Sequence, residues 1–312
     1  MNTTSLSPVG LPIAAVERDT GLAKDTLRVW ERRYGFPAPD RDANGERVYP
    51  AGQVEKLRLI RRLIDQGLRP ARLIALDPDA LGRMLDELRS PTVATDPERR
   101  AQLQALLEQV RRHDHEGLRG TLQQLLMKMG LQPFVMEIVA LLNDMVGDAW
   151  LRGEVDVPAE HLYTEQLKGI LRTAIAARSG TSRGRPAVLL TTFPEEQHAL
   201  GLLMVEAMLT PEGACCVSLG VQTPLEDIRS TAIAGHYDIV ALSFSSAYPL
   251  RHALDGLRSL RAGLPPQIEL WAGGAGLRTA GRKLPGIRVF AALDDIPAAL
   301  AEWRRNAAPV QP

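Results

Sequence analysis

The spacing of apolar positions changes character along the chain, and each change predicts a different architecture. In the C-terminal third, short apolar runs recur at Ala187 to Phe193, Ala214 to Leu219, Asp238 to Phe244, Ile268 to Ala272 and Ile287 to Ala291. Helical stretches separate them, the last at Ile296 to Arg304. Strands apolar on both faces belong to parallel sheets covered by helices, so residues 186 to 306 predict a flavodoxin-like (Rossmann-type) α/β domain. From Glu98 to Ser179 the apolar residues fall at helical period instead, broken near His113-Asp114, Gly130-Leu131 and Gly153 to Pro158. Four helices fit those breaks, which predicts a four-helix bundle over 98 to 179.

The N-terminal pattern is again helical and richer in charge. Residues 11 to 34 predict two helices around a turn at Gly21-Leu22, with Pro12 in a first turn and Ile13 to Val16 on the inner face. In the second, Lys24 to Tyr34, a buried stripe of Leu27, Trp30 and Tyr34 opposes a basic face of Lys24, Arg28 and Arg32. Asn44-Gly45, a two-residue hairpin signal, lies between Arg41 and Arg47 and predicts a wing. A further amphipathic helix follows over Ala51 to Gln66. The whole is an all-α winged helix-turn-helix of residues 1 to 80. Ser90 to Pro97 interrupts the next helix, so 81 to 97 are expected to be a linker and 307 to 312 a flexible tail.

Composition adds bounds. The 312 residues are 45% hydrophobic, enough for several conventional cores. Basic and acidic residues balance at 37 each, yet residues 20 to 72 carry 12 basic and 7 acidic, placing the basic surface near the N-terminus. No run approaches the ~18 apolar residues of a membrane span, and the start has no signal-peptide organisation, so the expected setting is cytoplasmic, with no membrane. Cys215 and Cys216 are adjacent in a predicted strand and point to opposite faces, which suggests no disulfide framework. His113-Asp114-His115 sits at a helix break and reads as a solvated turn.

The candidate chemistry gathers at strand ends. His198 follows the first strand of the α/β domain, at the carboxyl edge where such sheets bind ligands. Glu196, two residues earlier, can hold one ring nitrogen, as metal-bound imidazoles are commonly oriented. Gly201 permits close approach to the backbone. Ser243 and Gly273-Gly274 lie 45 and 75 residues beyond His198, each at the end of an apolar run. This set resembles the cobalamin-binding domain of methionine synthase and corrinoid proteins, with its pattern D-x-H-x-x-G, S-x-L, G-G. Glu196 stands here for Asp, and Ser245 for Leu. A phosphoacceptor receiver is excluded because the third strand ends in Ser243-Phe244-Ser245 without an aspartate. A nicotinamide fingerprint is missing after the first strand.

The string from Thr26 to Pro37, with Arg47-Val48-Tyr49, resembles the MerR-type DNA-binding domain over about residues 10 to 80. That resemblance implies contacts to double-stranded operator DNA by Lys24, Arg28, Arg32, Arg33, Tyr34, Arg41 and Arg47. Between the two, Trp150 and Glu160-His161 form W-x9-E-H, a pattern that resembles the upper cap of the CarH and LitR family of photoreceptor regulators. The resemblance implies adenosylcobalamin, with His198 the lower ligand of its cobalt and Glu196 orienting the ring. It further implies that Ser243, Ser245, Gly273 and Gly274 receive the nucleotide tail, and that Trp150, Glu160 and His161 cover the adenosyl group. The family's histidine after the tryptophan is Leu151 here, and leucine cannot coordinate cobalt.

These resemblances imply a repressor, not an enzyme, whose bound cofactor controls homo-oligomerisation, as dimer or tetramer, and operator binding in green light. Three alternatives remain open on sequence: a regulator sensing cofactor supply without photoswitching, a ligand-independent repressor, and a corrinoid methyl carrier. The N-terminal DNA module stands against the last.

Overall fold

The computed structural model describes residues 10–42, 44–65, 68–88, 96–178, 184–278 and 284–307. They divide into two compact units, the first ending before residue 95 and the second holding nearly all the rest.

In the first unit, β1 (Leu11–Pro12), β2 (Asp40–Arg41) and β3 (Arg47–Tyr49) form an antiparallel sheet in the order β1-β3-β2. Around it lie α1 (Ile13–Thr20), α2 (Lys24–Tyr34), α3 (Ala51–Asp65), α4 (Pro70–Leu73) and α5 (Pro78–Leu88). Gly21 and Gly35, at φ 66° and 68°, end α1 and α2 in the left-handed conformation that glycine adopts without strain. Leu27 and Trp30 of α2 join Val16, Tyr49, Leu57 and Ile60 in one core.

Two expectations change. Pro12 precedes α1 in a short strand instead of opening the helix. The hairpin holds Asn44-Gly45, but Arg41 pairs with Arg47, so the connection is residues 42–46 and not two residues. The Asp42 carboxylate accepts from the backbone N–H of Asn44 and of Glu46, each at 2.8 Å, and this side-chain cap sets the longer loop. A third difference concerns the expected linker. Leu81 of α5 is fully buried in the first unit's core, so its first residues belong to packed structure. Apolar burial at roughly 25 cal/mol per Å² outweighs the linker-like composition downstream. Residues 89–95 and the expected tail from 308 lie outside the described residues.

The second unit opens with four helical segments, as the breaks predicted: α6 (Pro97–Arg111), α7 (His115–Met129), a run of α8 (Leu131–Phe134), a π turn (Val135–Val139) and α9 (Ala140–Leu151), and α10 (Val157–Ala176). Asp96, Asp114 and Asp156 cap α6, α7 and α10 by accepting from backbone N–H groups. The His113-Asp114-His115 turn is therefore a helix cap, and no cluster fit for a metal ion occurs among the described residues.

The α/β part runs β4 (Ala187–Thr191), α11 (Leu200–Leu209), β5 (Cys215–Gly220), α12 (Leu225–Ala234), β6 (Ile239–Ser243), α13 (Leu250–Gly263), β7 (Glu269–Gly273), β8 (Ile287–Val289) and α14 (Asp295–Asn306). The sheet is parallel in the order β5-β4-β6-β7-β8, so the chain reverses direction between β4 and β6. Alternation divides the strands: Val188 and Leu190 join the core shared with the helical bundle, while Leu189 faces the core under α12 and α13. The bundle and one face of the sheet are thereby one packed body. Cys215 and Cys216 are free and part-buried, and burial pushes the Cys216 thiol up to about 12. No helix among the described residues is long and apolar enough to cross a membrane.

Candidate cobalamin site and DNA interface

The loop after β4 is tied down by threonines. The Thr192 hydroxyl donates to the Glu196 carbonyl at 2.7 Å and accepts from the Gln222 N–H at 2.8 Å. The Thr191 hydroxyl meets that of Thr223 at 2.7 Å. Glu195 takes φ 70°, a left-handed conformation uncommon for a side-chain-bearing residue, and turns the chain so that Glu196 points inward.

Glu196 is 1% exposed and its carboxylate is saturated. Its Oε1 pairs with His198 Nδ1 at 2.6 Å and accepts from the His198 N–H at 3.0 Å. Its Oε2 accepts from the Ser245 N–H at 2.7 Å and the Ser245 hydroxyl at 2.8 Å. Burial opposes ionisation, but the bonds from His198 and Ser245 outweigh it and hold the carboxyl below its ordinary value. The bond to Glu196 raises His198 against the opposing effect of burial. With Nδ1 engaged, Nε2 is the nitrogen left for a ligand, and the His198 side chain is 61% exposed.

From α10 the charges of Glu160 and Lys168 act on His198 in opposite senses, Glu160 raising it and Lys168 lowering it. Glu160 is itself oriented, accepting from the Thr164 hydroxyl at 2.8 Å and pairing with His161 Nδ1 at 2.7 Å. Trp150 is partly buried against the bundle core.

Glycines shape the remaining surface. A Cβ on Gly201 would fall 2.1 Å from Ser243 Oγ, and one on Gly274, at φ 102°, would fall 2.3 Å from the Phe244 carbonyl oxygen. The Gly273 position is ordinary by comparison, with Phe290 at 3.5 Å. Gly276 was not singled out by sequence, yet a Cβ there would lie 2.4 Å from the Ser245 carbonyl oxygen. Thr192, Thr164 and Lys168 were missed as well; only the polar Thr191-Thr192 pair ending an apolar run signalled any of them.

The geometry thus gathers Glu196, His198 and Ser245, and packs Gly201 on Ser243 and Gly274 on the turn after β6. An imidazole with one nitrogen held by a buried carboxylate and a side chain left 61% exposed fits a cobalt ligand.

In the first unit, Arg28, Arg32, Arg33 and Arg41 are exposed, while Lys24, Tyr34 and Arg47 are half-buried. Arg28 pairs with Asp25 at 3.2 Å and the Arg33 guanidinium lies 5.3 Å from the Tyr34 ring centre. Lys24 pairs with Glu17 at 3.2 Å. Arg41 donates to the Gly45 carbonyl at 2.6 Å. Arg47 donates through Nε to Glu31 at 2.9 Å, joining wing to helix.

Comparison with known proteins follows the same division. Residues 11–76 match the family described as MerR HTH family regulatory protein, and residues 102–174 and 186–300 match two families described as B12 binding domain. The HTH-type transcriptional repressor CarH of Myxococcus xanthus is 29% identical over 261 residues, 83% of this chain and 87% of that protein. The HTH-type transcriptional repressor CarA of the same organism is 31% identical over 245 residues, 76% of this chain and 77% of that protein. The chain belongs to the CarH and CarA family. It is a MerR-type DNA-binding regulator with a B12-binding domain, and its relatives are repressors, not enzymes. The monomethylamine corrinoid protein of Methanosarcina barkeri shares the fold of the second unit, with a TM-score of 0.51 at 15% identity, covering 64% of this chain and 96% of that one.

Proposed function

We propose that this regulator is a repressor that binds adenosylcobalamin in its second unit and uses it to control homo-oligomerisation and operator binding in response to green light. The observation that carries the reading is His198, its Nδ1 held at 2.6 Å by buried Glu196 and its side chain left 61% exposed. His198 would hold the cobalt through Nε2 in place of the cofactor's own base. Glu196 fixes the ring. Gly201, Ser243, Ser245, Gly273 and Gly274 border the space for the nucleotide tail. Trp150, Glu160 and His161 cover the adenosyl group. The bound cofactor supplies a photolabile cobalt–carbon bond. A cofactor bound only by the assembled form stabilises that form by linkage, and its loss releases DNA.

Lys24, Arg28, Arg32, Arg33, Tyr34 and Arg41 form the DNA-facing surface, and Arg47 braces the wing against α2. Two half-sites of operator raise affinity when a symmetric oligomer presents two such surfaces.

Leu151 favours a second reading of the light step. Leucine at 151 offers cobalt no ligand, so with the cofactor bound the photoproduct would be water-bound or reversible, or the protein would mainly report cofactor supply.

The test mixes purified protein with adenosylcobalamin in the dark, removes free cofactor, and records the visible spectrum, the molecular size and operator binding before and after green light. Retained base-off, histidine-ligated absorption with size and DNA affinity falling on illumination is the expected result. Retention with unchanged size removes the photoswitch and leaves a cofactor sensor. No retained chromophore defeats the cobalamin reading.

A further inference from the structure

Seen end-on, α2 presents its outward side chains in an order different from that of the chain. Each residue turns an α-helix by about 100°. Passing round the half of α2 opposite Leu27 and Trp30 therefore meets Lys24, Arg28, Arg32, Asp25, Val29 and Arg33 in turn. Cations stand at both margins, and between them runs a stripe without positive charge, Asp25 and Val29. Asp25 pairs with Arg28 at 3.2 Å. Val29 is 40% exposed, and it is the one large apolar side chain left exposed among the described residues of the first unit.

We propose that Val29 reads a thymine of the operator by packing against the C5-methyl group on the major-groove edge of that base. This rests on the reading of α2 as the helix that faces DNA.

Folding alone does not call for valine at this position. A β-branched side chain is among the weaker helix formers, and on an open face it gains little packing in return. A helix in the major groove has a phosphate wall on either side and base edges beneath it. Cations belong against the walls, where each phosphate contact releases counter-ion. Asp25 is repelled by phosphate, so the stripe that it shares with Val29 is directed at the base edges. Valine carries no hydrogen-bonding group and would strand the donors and acceptors that line most of that edge. The thymine methyl is the apolar group displayed there, and apolar side chains contact it favourably. Arg28 and Arg33 then supply affinity from the margins, and Val29 supplies sequence preference without charge.

Duplexes are selected from a random pool by the full-length protein in the dark, with and without adenosylcobalamin, and the tighter-binding form is kept. Each thymine of the selected operator is then replaced by deoxyuridine, which pairs in the same way and lacks only the C5-methyl group. Affinities are measured for the unchanged protein, Val29→Ala and Arg28→Ala. Loss of one methyl contact is expected to weaken binding of the unchanged protein about fourfold at one thymine in each half-site. The same replacement is expected to leave Val29→Ala unaffected. On the unmodified operator Val29→Ala is expected to bind about fourfold or more weakly per half-site, with its salt slope and melting temperature unchanged, because it loses neither a phosphate contact nor core packing. In Arg28→Ala the uracil penalty persists while the salt slope falls. Uracil penalties that are equal in the unchanged protein and Val29→Ala, or absent at every thymine, overturn the assignment. If Arg28→Ala binds like the unchanged protein, α2 is not the DNA-facing helix and both readings fall together.

Discussion

On α2 the charged groups stand in water, whereas at the end of β4 the decisive charge is sealed inside the protein. The pair of Arg28 with Asp25 has side chains 53% and 91% exposed; Glu196, bonded to His198 and Ser245, is 1% exposed. The same residue types therefore contribute very differently. Exposed pairs are screened and contribute about 0 to 1 kcal/mol each, so a DNA surface works by summing many cations and tolerates the loss of one. A buried carboxylate must be satisfied at every lone pair, so a cofactor site fails when a single partner is removed. One region is additive and the other is a network.

The largest expected effect tests the network region through its backbone. In Gly274→Ala the new Cβ meets the Phe244 carbonyl oxygen at 2.3 Å while φ stays at 102°. Steric and conformational strain together cost about 3 kcal/mol or more. Hydrogen exchange is expected to accelerate across residues 184–278 and to stay unchanged over 10–65, with cobalamin retention lost. Acceleration in both regions would show that the units do not respond independently.

Next is Leu81→Ala, which tests the opposite side. Leu81 is fully buried in the first unit, and emptying such a site costs about 2 to 5 kcal/mol. Faster exchange confined to residues 10–88, with cobalamin binding intact, is the expected pattern. A neutral result would return residue 81 to the linker that composition suggested.

Smaller again is Arg28→Ala, expected to weaken operator binding by about 1 to 3 kcal/mol and to reduce the salt slope by about 1. Operator affinity at several salt concentrations measures both. An unchanged affinity would mean that α2 does not present this face to DNA.

The contrast between the regions also explains what could be read from the sequence. The strands β4 to β8 and the four helical segments were legible because burial imposes a period, and period survives without coordinates. His198, Glu196 and Gly201 were legible because they lie close in sequence on one loop. The Glu196–Ser245 bond was not, since its partners are 49 residues apart and meet only because β4 and β6 are neighbours in the sheet. Gly276 escaped for the same reason: its constraint is the Ser245 carbonyl, not a local turn. The wing was legible as a hairpin but not in its length, because the Asp42 carboxylate overrides the Asn-Gly signal. Before residues 90–97 a short helix could be read, but not that Leu81 packs it into the first unit's core.

The smallest expected effect belongs to Arg47, and it divides the additive region within itself. Sequence placed Arg47 with the DNA-contacting arginines, yet its guanidinium is directed at Glu31, with the two side chains 30% and 28% exposed. The exposed Arg28–Asp25 pair is screened by water and gives way to phosphate, whereas the half-buried Arg47–Glu31 pair stays compensated as the complex forms, so Arg47 releases little bound counter-ion from DNA. Arg47→Ala is accordingly expected to leave the salt slope of operator binding unchanged, against a decrease of about 1 for Arg28→Ala. Its stability cost is expected to stay below about 1 kcal/mol in chemical denaturation of the first unit, as for other part-exposed ion pairs. Glu31→Ala supplies the complement: with the carboxylate gone, Arg47 becomes an additional free cation on the wing. Operator binding should then tighten at low salt and grow steeper in its salt dependence. If instead Arg47→Ala lowers the slope as Arg28→Ala does, the pair with Glu31 opens on DNA, and the wing joins the phosphate contacts instead of bracing them.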